Sequence, residues 1–276
     1  MTMKFDELIL HPTTRKILAG YLTRPTHALL LAGEVGVGLG TVARTLAQTV
    51  AGANYKVVLP SLHNQQKTVN INVDDIRELV TLNRAKRREK FIIIIDEAEK
   101  MTGVSPQAFL KILEEPAMNL HFILTTHQPA KLPATILSRT EKIDVLPTTA
   151  APILKNYNRK ILPARLQQLN FLAGNLPAEM SRLLADETYF RQVAGQMETA
   201  KNFVASPVCA RLEIIAENTS RDSAQTLTRN IAKILLTHST GDVRTADQLA
   251  TLAAVTENLA ANGNTRAQLM HLALNL

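Results

Sequence analysis

The run FIIII at residues 91–95, followed at once by Asp96 and Glu97, constrains the fold more than any other stretch. Five apolar residues in a row, four of them β-branched, leave no polar face. A strand of this kind is buried on both sides, as in parallel sheets covered by helices. Carboxylates at the C-terminal end of such a strand lie where open α/β sheets bind ligands. Two readings of the acidic pair stand side by side. Either Asp96 caps a polar helix start, or it helps hold Mg²⁺ while Glu97 polarises an attacking water.

The segment HFILTT (121–126) reads as a second strand ending in two threonines. Thr126 is the candidate for touching a γ-phosphate or a water; the plain alternative is a threonine chosen for its β-preference. Next, LPATILSRT (132–140) sets Arg139 at a helix end, before a strand at 142–146. The planar fork of an arginine at such a rim suits phosphate oxygens of a neighbouring subunit. As a surface residue it is also favoured there by the helix dipole.

The strand-like HALLLAG (27–33) opens into GEVGVGLGTVARTLAQ, a strand–loop–helix in the place of a phosphate loop. Against the pattern GxxxxGK[ST], Gly33, Gly36 and Gly38 match its glycines. Leu39 stands where the lysine belongs, and Gly40 where the Mg²⁺-binding hydroxyl belongs. An isobutyl group cannot neutralise phosphate charge, and Gly40 offers the metal no oxygen. Thr41 comes one residue late, about 100° round the helix. The reading preferred from the residues is a phosphate-loop architecture kept for its tight turn, with its chemistry gone.

Taken in order, Asp96-Glu97-Ala98, the LKILEEP of residues 110–116, the strand end at 122–126 and the PATILSRT of residues 133–140 resemble the AAA+ ATPases of DNA-sliding-clamp loaders. The family usually reads SRC where this chain has Ser138, Arg139 and Thr140. The degenerate loop beside an intact Arg139 is similar to the delta-prime class of bacterial DNA polymerase III loaders. That resemblance implies an α/β AAA+ domain over residues 1–147, a helical lid over 148–190 and an all-α collar over 191–276 that serves oligomerisation. It implies that Arg139 acts in trans as an arginine finger, and that Asp96, Glu97 and Thr126 are remnants of an ATP site. Partners implied are ATP-hydrolysing gamma/tau-like and delta-like subunits, with the sliding clamp and primer-template DNA reached through the complex. No tight ATP is expected. No zinc is expected either, since many relatives carry a four-cysteine module where residues 51–70 hold no cysteine. The lid's arginine-bearing GSxR motif is replaced by Gly174, Asn175, Leu176 and Pro177, with Arg182 over a turn away. The rival reading is an autonomous AAA+ ATPase acting on DNA, supported by Asp96, Glu97 and Thr126 and opposed by Leu39, Gly40 and Pro177.

Length and composition agree with this outline. The 276 residues are 46% hydrophobic, with one cysteine, Cys209, which excludes an internal disulfide and fits a reducing, cytoplasmic setting. No secretory signal pattern or membrane-length apolar run is read. The net charge of +7 is spread along the chain, and 4% aromatics without tryptophan argue against a stacking platform for single strands. The basic run Arg84, Lys86, Arg87, Arg88 and Lys90 closes a predicted helix; solvated cations are the plainer account, contact with a DNA backbone the other. Past residue 190 the spacing is helical throughout, and residues 245–276 carry only Asp247, Glu257 and Arg266 as charges.

Overall fold

The computed structural model describes residues 4–62, 69–83, 87–148, 162–238 and 243–276. Two compact units divide the chain, Met1–Ser181 and Arg182–Leu276.

The first unit is an α/β domain. In chain order it contains α1 (Pro12–Thr23), β1 (Ala28–Ala32), α2 (Leu39–Ala51), β2 (Tyr55–Val58), α3 (Val73–Asn83) and β3 (Phe91–Ile95). Then follow α4 (Ser105–Glu114), β4 (Leu120–Thr126), α5 (Ala134–Leu137), β5 (Glu141–Asp144), α6 (Pro163–Ala173) and the start of α7 (Pro177–Ala185), a helix that runs on into the second unit. Residues 149–161 of the lid expected over 148–190 lie outside the described residues. All strand pairs are parallel, in a five-stranded sheet of order β2-β3-β4-β1-β5. The apolar run therefore becomes an interior strand, as its composition requires.

Its alternation feeds two cores. Ile93 and Ile95 pack with Leu30, Phe122 and Leu124 against Ile76 and Leu79 of α3 and Phe109 and Ile112 of α4. Ile92 and Ile94 face the opposite way, with Leu29, Leu31 and Ile123, against Leu18 of α1 and Val42 and Leu46 of α2. All four isoleucines are fully buried. The Phe109 and Phe122 rings meet edge to face at 5.3 Å, a favourable quadrupole arrangement. At the start of α3, Asn72 does not act through its side chain. Instead Asp75 reaches back and accepts from the Asn72 N–H at 2.9 Å, satisfying a helix-entry donor from within the first turn.

The second unit is all helical: α8 (Glu187–Ala205), α9 (Val208–Glu217), α10 (Arg221–His238), α11 (Val243–Ala260) and α12 (Thr265–Asn275). Two arginines tie its helix ends. Arg211 donates to the carbonyls of Phe203, Val204 and Ala273 at 3.0, 3.3 and 2.9 Å, joining α9 to the C-terminal ends of α8 and α12. Arg221 donates to Leu259 O, Asn262 Oδ1 and Gly263 O where α11 ends. Cations at helix C-termini satisfy orphan carbonyls and the dipole together. No helix among the described residues is long and apolar enough to cross a membrane.

Tyr21 of α1 is buried, and its hydroxyl has no hydrogen-bond partner among the described residues. Burial pushes its phenol well above the ordinary range, with the nearby Glu141 charge adding to the rise. The neutral form is therefore favoured by folding. That contribution is complete below the unfolded pKa of about 10 and is lost as pH climbs past it. Tyr21→Phe is expected to leave stability at pH 7 unchanged or up to ~1 kcal/mol higher, and to flatten the loss of stability above about pH 10. Urea melts of both proteins at pH 7 and pH 10.5 check this; a parallel alkaline decline would show that other groups carry it.

Candidate functional site

The loop of residues 33–38 leaves the C-terminal end of β1, next to the C-terminal ends of β4 and β3. Gly36 and Gly38 sit at φ of 94° and 97°, left-handed values that a side chain resists. Gly38 is the N-cap of α2, so the turn enters the helix as a phosphate loop does. Positions 39 and 40 behave as their chemistry dictates. Leu39 is 2% exposed and joins the α2-side core. Gly40 leaves a gap into which other groups have moved. A Cβ built there would lie 2.9 Å from Nη1 of Arg44 and 3.1 Å from Oδ2 of Asp96. Arg44, one turn further along α2, faces Asp96 at 3.6 Å. Thr41 is exposed and lines a hollow of about 500 Å³ with Glu7, Leu8, Ile9, Val42 and Pro177.

The start of α7 closes over the loop. Ala178 N–H and Glu179 N–H both donate to the Gly36 carbonyl, at 3.0 and 3.2 Å. The amides at a helix N-terminus, which elsewhere suit an anion, are here directed at the chain's own oxygen. A Cβ on Gly36 would lie 3.2 Å from Cβ of Glu179.

Asp96 and Glu97 follow β3 as the sequence reading has it. Asp96 Oδ1 accepts from the Thr125 hydroxyl at 2.5 Å, and the Glu97 N–H donates to the same Thr125 oxygen at 2.9 Å. Glu97 adopts a left-handed φ of 52°, uncommon for a residue with a side chain. Its carboxylate pairs with Lys100 at 2.5 Å. The hydroxyl beside Asp96 is thus that of Thr125. Thr126, the residue expected there, is equally buried, but its Oγ1 accepts from the Gln128 N–H at 3.1 Å. Strand parity explains it: Asp96 continues the Ile92–Ile94 face, and Thr125 shares the face of Ile123. The pairing of Ile95 with Leu124 sets Asp96 against Thr125.

The AAA+ resemblance brings Mg²⁺–ATP into question here. The donor set does not fit it. No lysine or hydroxyl stands at positions 39 and 40, Asp96 is shared between Arg44 and Thr125, and the Gly36 carbonyl is engaged by α7. The lid arginine is absent too: Arg182 stacks on the Tyr189 ring, 3.7 Å from its centroid.

Arg139 lies at the opposite edge of the sheet. It follows α5 and precedes β5, beside His27, which precedes β1. Its guanidinium contacts Glu114 Oε1 at 2.8 Å, Thr135 O at 3.1 Å and Ser138 Oγ at 3.4 Å. An open cleft of about 480 Å³ adjoins it, lined also by Leu113, Pro116 and Thr140. Of the basic run, Arg84 and Lys86 lie outside the described residues. Arg87 stacks on the Phe91 ring at 5.0 Å, and Arg88 and Lys90 border a shallow hollow with Asn54 and Glu89.

Neither Arg44 nor Thr125 was singled out from sequence. The signals were the i, i+4 spacing of Gly40 and Arg44 on one helix face, and the parity of 96 with 125. Thr125→Val should cost about 1–3 kcal/mol, because it strands the Glu97 N–H and one Asp96 oxygen. Thr126→Val removes a single acceptor and should cost about 1 kcal/mol or less. Denaturant titration of the two variants checks the order; equal losses would remove Thr125 from its special place.

Residues 53–149 match the family described as DNA polymerase III, delta subunit. The chain is 34% identical over 139 residues to the DNA polymerase III subunit tau of Escherichia coli (strain K12), covering 43% of this chain and 21% of the relative. It is 30% identical over 112 residues to the replication factor C small subunit of Aeropyrum pernix, covering 40% and 34%. The chain thus spans about a third or less of the length of these curated relatives. Among solved structures, a DNA polymerase III gamma subunit-related protein of Thermotoga maritima superposes with a TM-score of 0.50 at 20% identity, over 94% of this chain and 97% of that one. A Thermotoga maritima RuvB mutant superposes with a TM-score of 0.55 at 14% identity, over 78% and 84%. The chain shares its fold with these solved structures, and its α/β unit is similar in sequence to DNA polymerase III and replication factor C subunits.

Proposed function

We propose that this chain is a non-hydrolysing, delta-prime-like subunit of a DNA polymerase III clamp loader in the cytoplasm. In this role it helps assemble the loader ring and supports loading of the sliding clamp on primed DNA. Its own loop takes no tight ATP. Its contribution to hydrolysis is Arg139, lent to the nucleotide of a neighbouring subunit. The ATP-hydrolysing partners are gamma/tau-like, with a delta-like subunit completing the ring and the second unit of this chain acting as the oligomerising collar.

The observation that carries the reading is the separation of the two sites. In a parallel sheet all strands start at one edge and end at the other. The glycine loop follows the end of β1, while Arg139 sits beside the residue before its start. Five strand residues at about 3.3 Å each put these edges roughly 16 Å apart. Arg139 therefore cannot serve its own loop, whatever that loop binds. The exposed cleft beside it faces away from the chain's glycine turn and suits an approach by another molecule. The rival, an autonomous ATPase, needs a free Glu97 and a loop cation; the Lys100 pair and Leu39 speak against it.

Isothermal titration of the isolated chain with Mg²⁺–ATP is expected to show no micromolar binding, and phosphate release should stay at background. Binding with turnover abolished by Glu97→Gln would instead establish the autonomous ATPase. In a loader reconstituted with gamma/tau-like and delta-like subunits, Arg139→Ala should leave assembly intact on a sizing column. Turnover at the affected site should fall by ~10³-fold, diluted in the total by the other sites. Unchanged clamp- and DNA-stimulated turnover would make Arg139 an ordinary surface residue.

A further inference from the structure

Glu114 is placed where helix electrostatics disfavour it. It is the last residue of α4, and Glu115 follows as its C-cap. The C-terminal end of a helix carries partial negative charge, so a carboxylate there is repelled and a cation attracted. What offsets the repulsion on Glu114 is Arg139, at 2.8 Å. Both side chains remain partly open to solvent, 51% for Glu114 and 37% for Arg139, so the pair sits on a screened surface. A surface pair of this kind is a weak reason for a carboxylate to stand against its own helix dipole. A local choice that opposes helix stability points to the site it serves.

The contacts of the guanidinium are equally particular. An arginine carries five N–H donors in a rigid fork. Nη1 is held from below by the Thr135 carbonyl and the Ser138 hydroxyl. Nη2 is held from the side by Glu114. Glu114 meets Nη2 as an ion pair, and Nε has no acceptor among the described residues, beside the open cleft. Thr135 and Ser138 alone grip one nitrogen, about which the planar group can still swing. Glu114 supplies the second point that fixes the plane.

We propose that Glu114 is the positioning residue of Arg139: it holds the guanidinium plane in place before an anion arrives, while sparing the donors that the anion needs. The inference rests on the reading of Arg139 as a finger acting in trans on a neighbour's nucleoside triphosphate. Without Glu114 the side chain samples many rotamers, and its ordering cost falls on the transition state instead.

The test uses the reconstituted loader with Glu114→Gln, Glu114→Ala, Arg139→Ala and the Glu114→Ala/Arg139→Ala pair. Glu114→Ala is expected to slow clamp- and DNA-stimulated turnover about 5- to 10-fold at the affected site, through kcat with KM for ATP unchanged, as for an interaction made only in the transition state. Glu114→Gln keeps an acceptor and should lose less. In the Arg139→Ala background, Glu114→Ala should have no further effect, because groups that act as a unit are not additive. Thermal unfolding of the isolated single variants, expected within 2 °C of the parent, separates this from a loss of folding. Turnover unchanged or faster on Glu114→Ala, or an additive effect in the double variant, overturns the inference. If Arg139→Ala itself has no effect, it is the trans-finger reading that fails; if Arg139→Ala slows turnover and Glu114→Ala does not, only the positioning role fails.

Discussion

The in-register pairing of β3 with β4, Ile95 opposite Leu124, is the constraint on which the first unit depends. Side chains along a strand alternate between faces, so a slip of one residue would turn each core residue towards the wrong layer. The penalty would be largest at the strand ends. In the observed register Asp96 meets the Thr125 hydroxyl, and Glu97 finds an acceptor for its N–H on the same oxygen. Shifted by one, Asp96 would face the layer of Leu124 and Phe122 with no partner for its charge. Burying an unpaired carboxylate costs far more than a lost apolar contact. The polar end thus fixes what the apolar run, nearly uniform along its length, leaves under-determined.

The parallel sheet, the interior place of β3 and the helical second unit were legible because each rests on a long signal. An unbroken β-branched run has few alternatives, and helical spacing over some eighty residues leaves little room for strands. The glycine turn was legible because φ near 95° at Gly36 and Gly38 admits little else. The details of the site were not, for a physical reason. Thr125 and Thr126 are chemically identical, and only the register decides which one reaches Asp96. Arg44 looked like any polar residue of an amphipathic helix until Gly40, four positions earlier, was seen to leave it room. The closure of Gly36 by α7 joins residues far apart in sequence, and no local pattern announces it.

The polarity of the sheet shapes what the first unit can do. Parallel strands gather their carboxyl ends, and the loops that follow them, along one edge. Residues that precede strands collect at the other. The glycine loop, Asp96 and Thr125 belong to the first group, and His27, Arg139 and Thr140 to the second. A chain of this topology carries two edges that never meet within one molecule. Groups on the two edges can come together only between molecules. Residues on one edge can therefore differ without disturbing those on the other.

The acidic pair differs from the residues at 39 and 40 in how the fold uses it. Leu39 is an apolar side chain buried in the adjacent core. Gly40 asks nothing of its surroundings beyond the space beside Arg44 and Asp96. Neither residue leaves a buried group stranded. Asp96 is different. Its two oxygens face Arg44 and Thr125, so its loss would leave a cation and a buried hydroxyl without their partner. Glu97 is bound into the turn through its N–H and to Lys100 through its carboxylate. The carboxylate pair thus has hydrogen-bonding work in the fold that owes nothing to a metal or a nucleotide. Two acids at the end of a buried strand are, by themselves, weak evidence for hydrolysis, because the fold alone accounts for them.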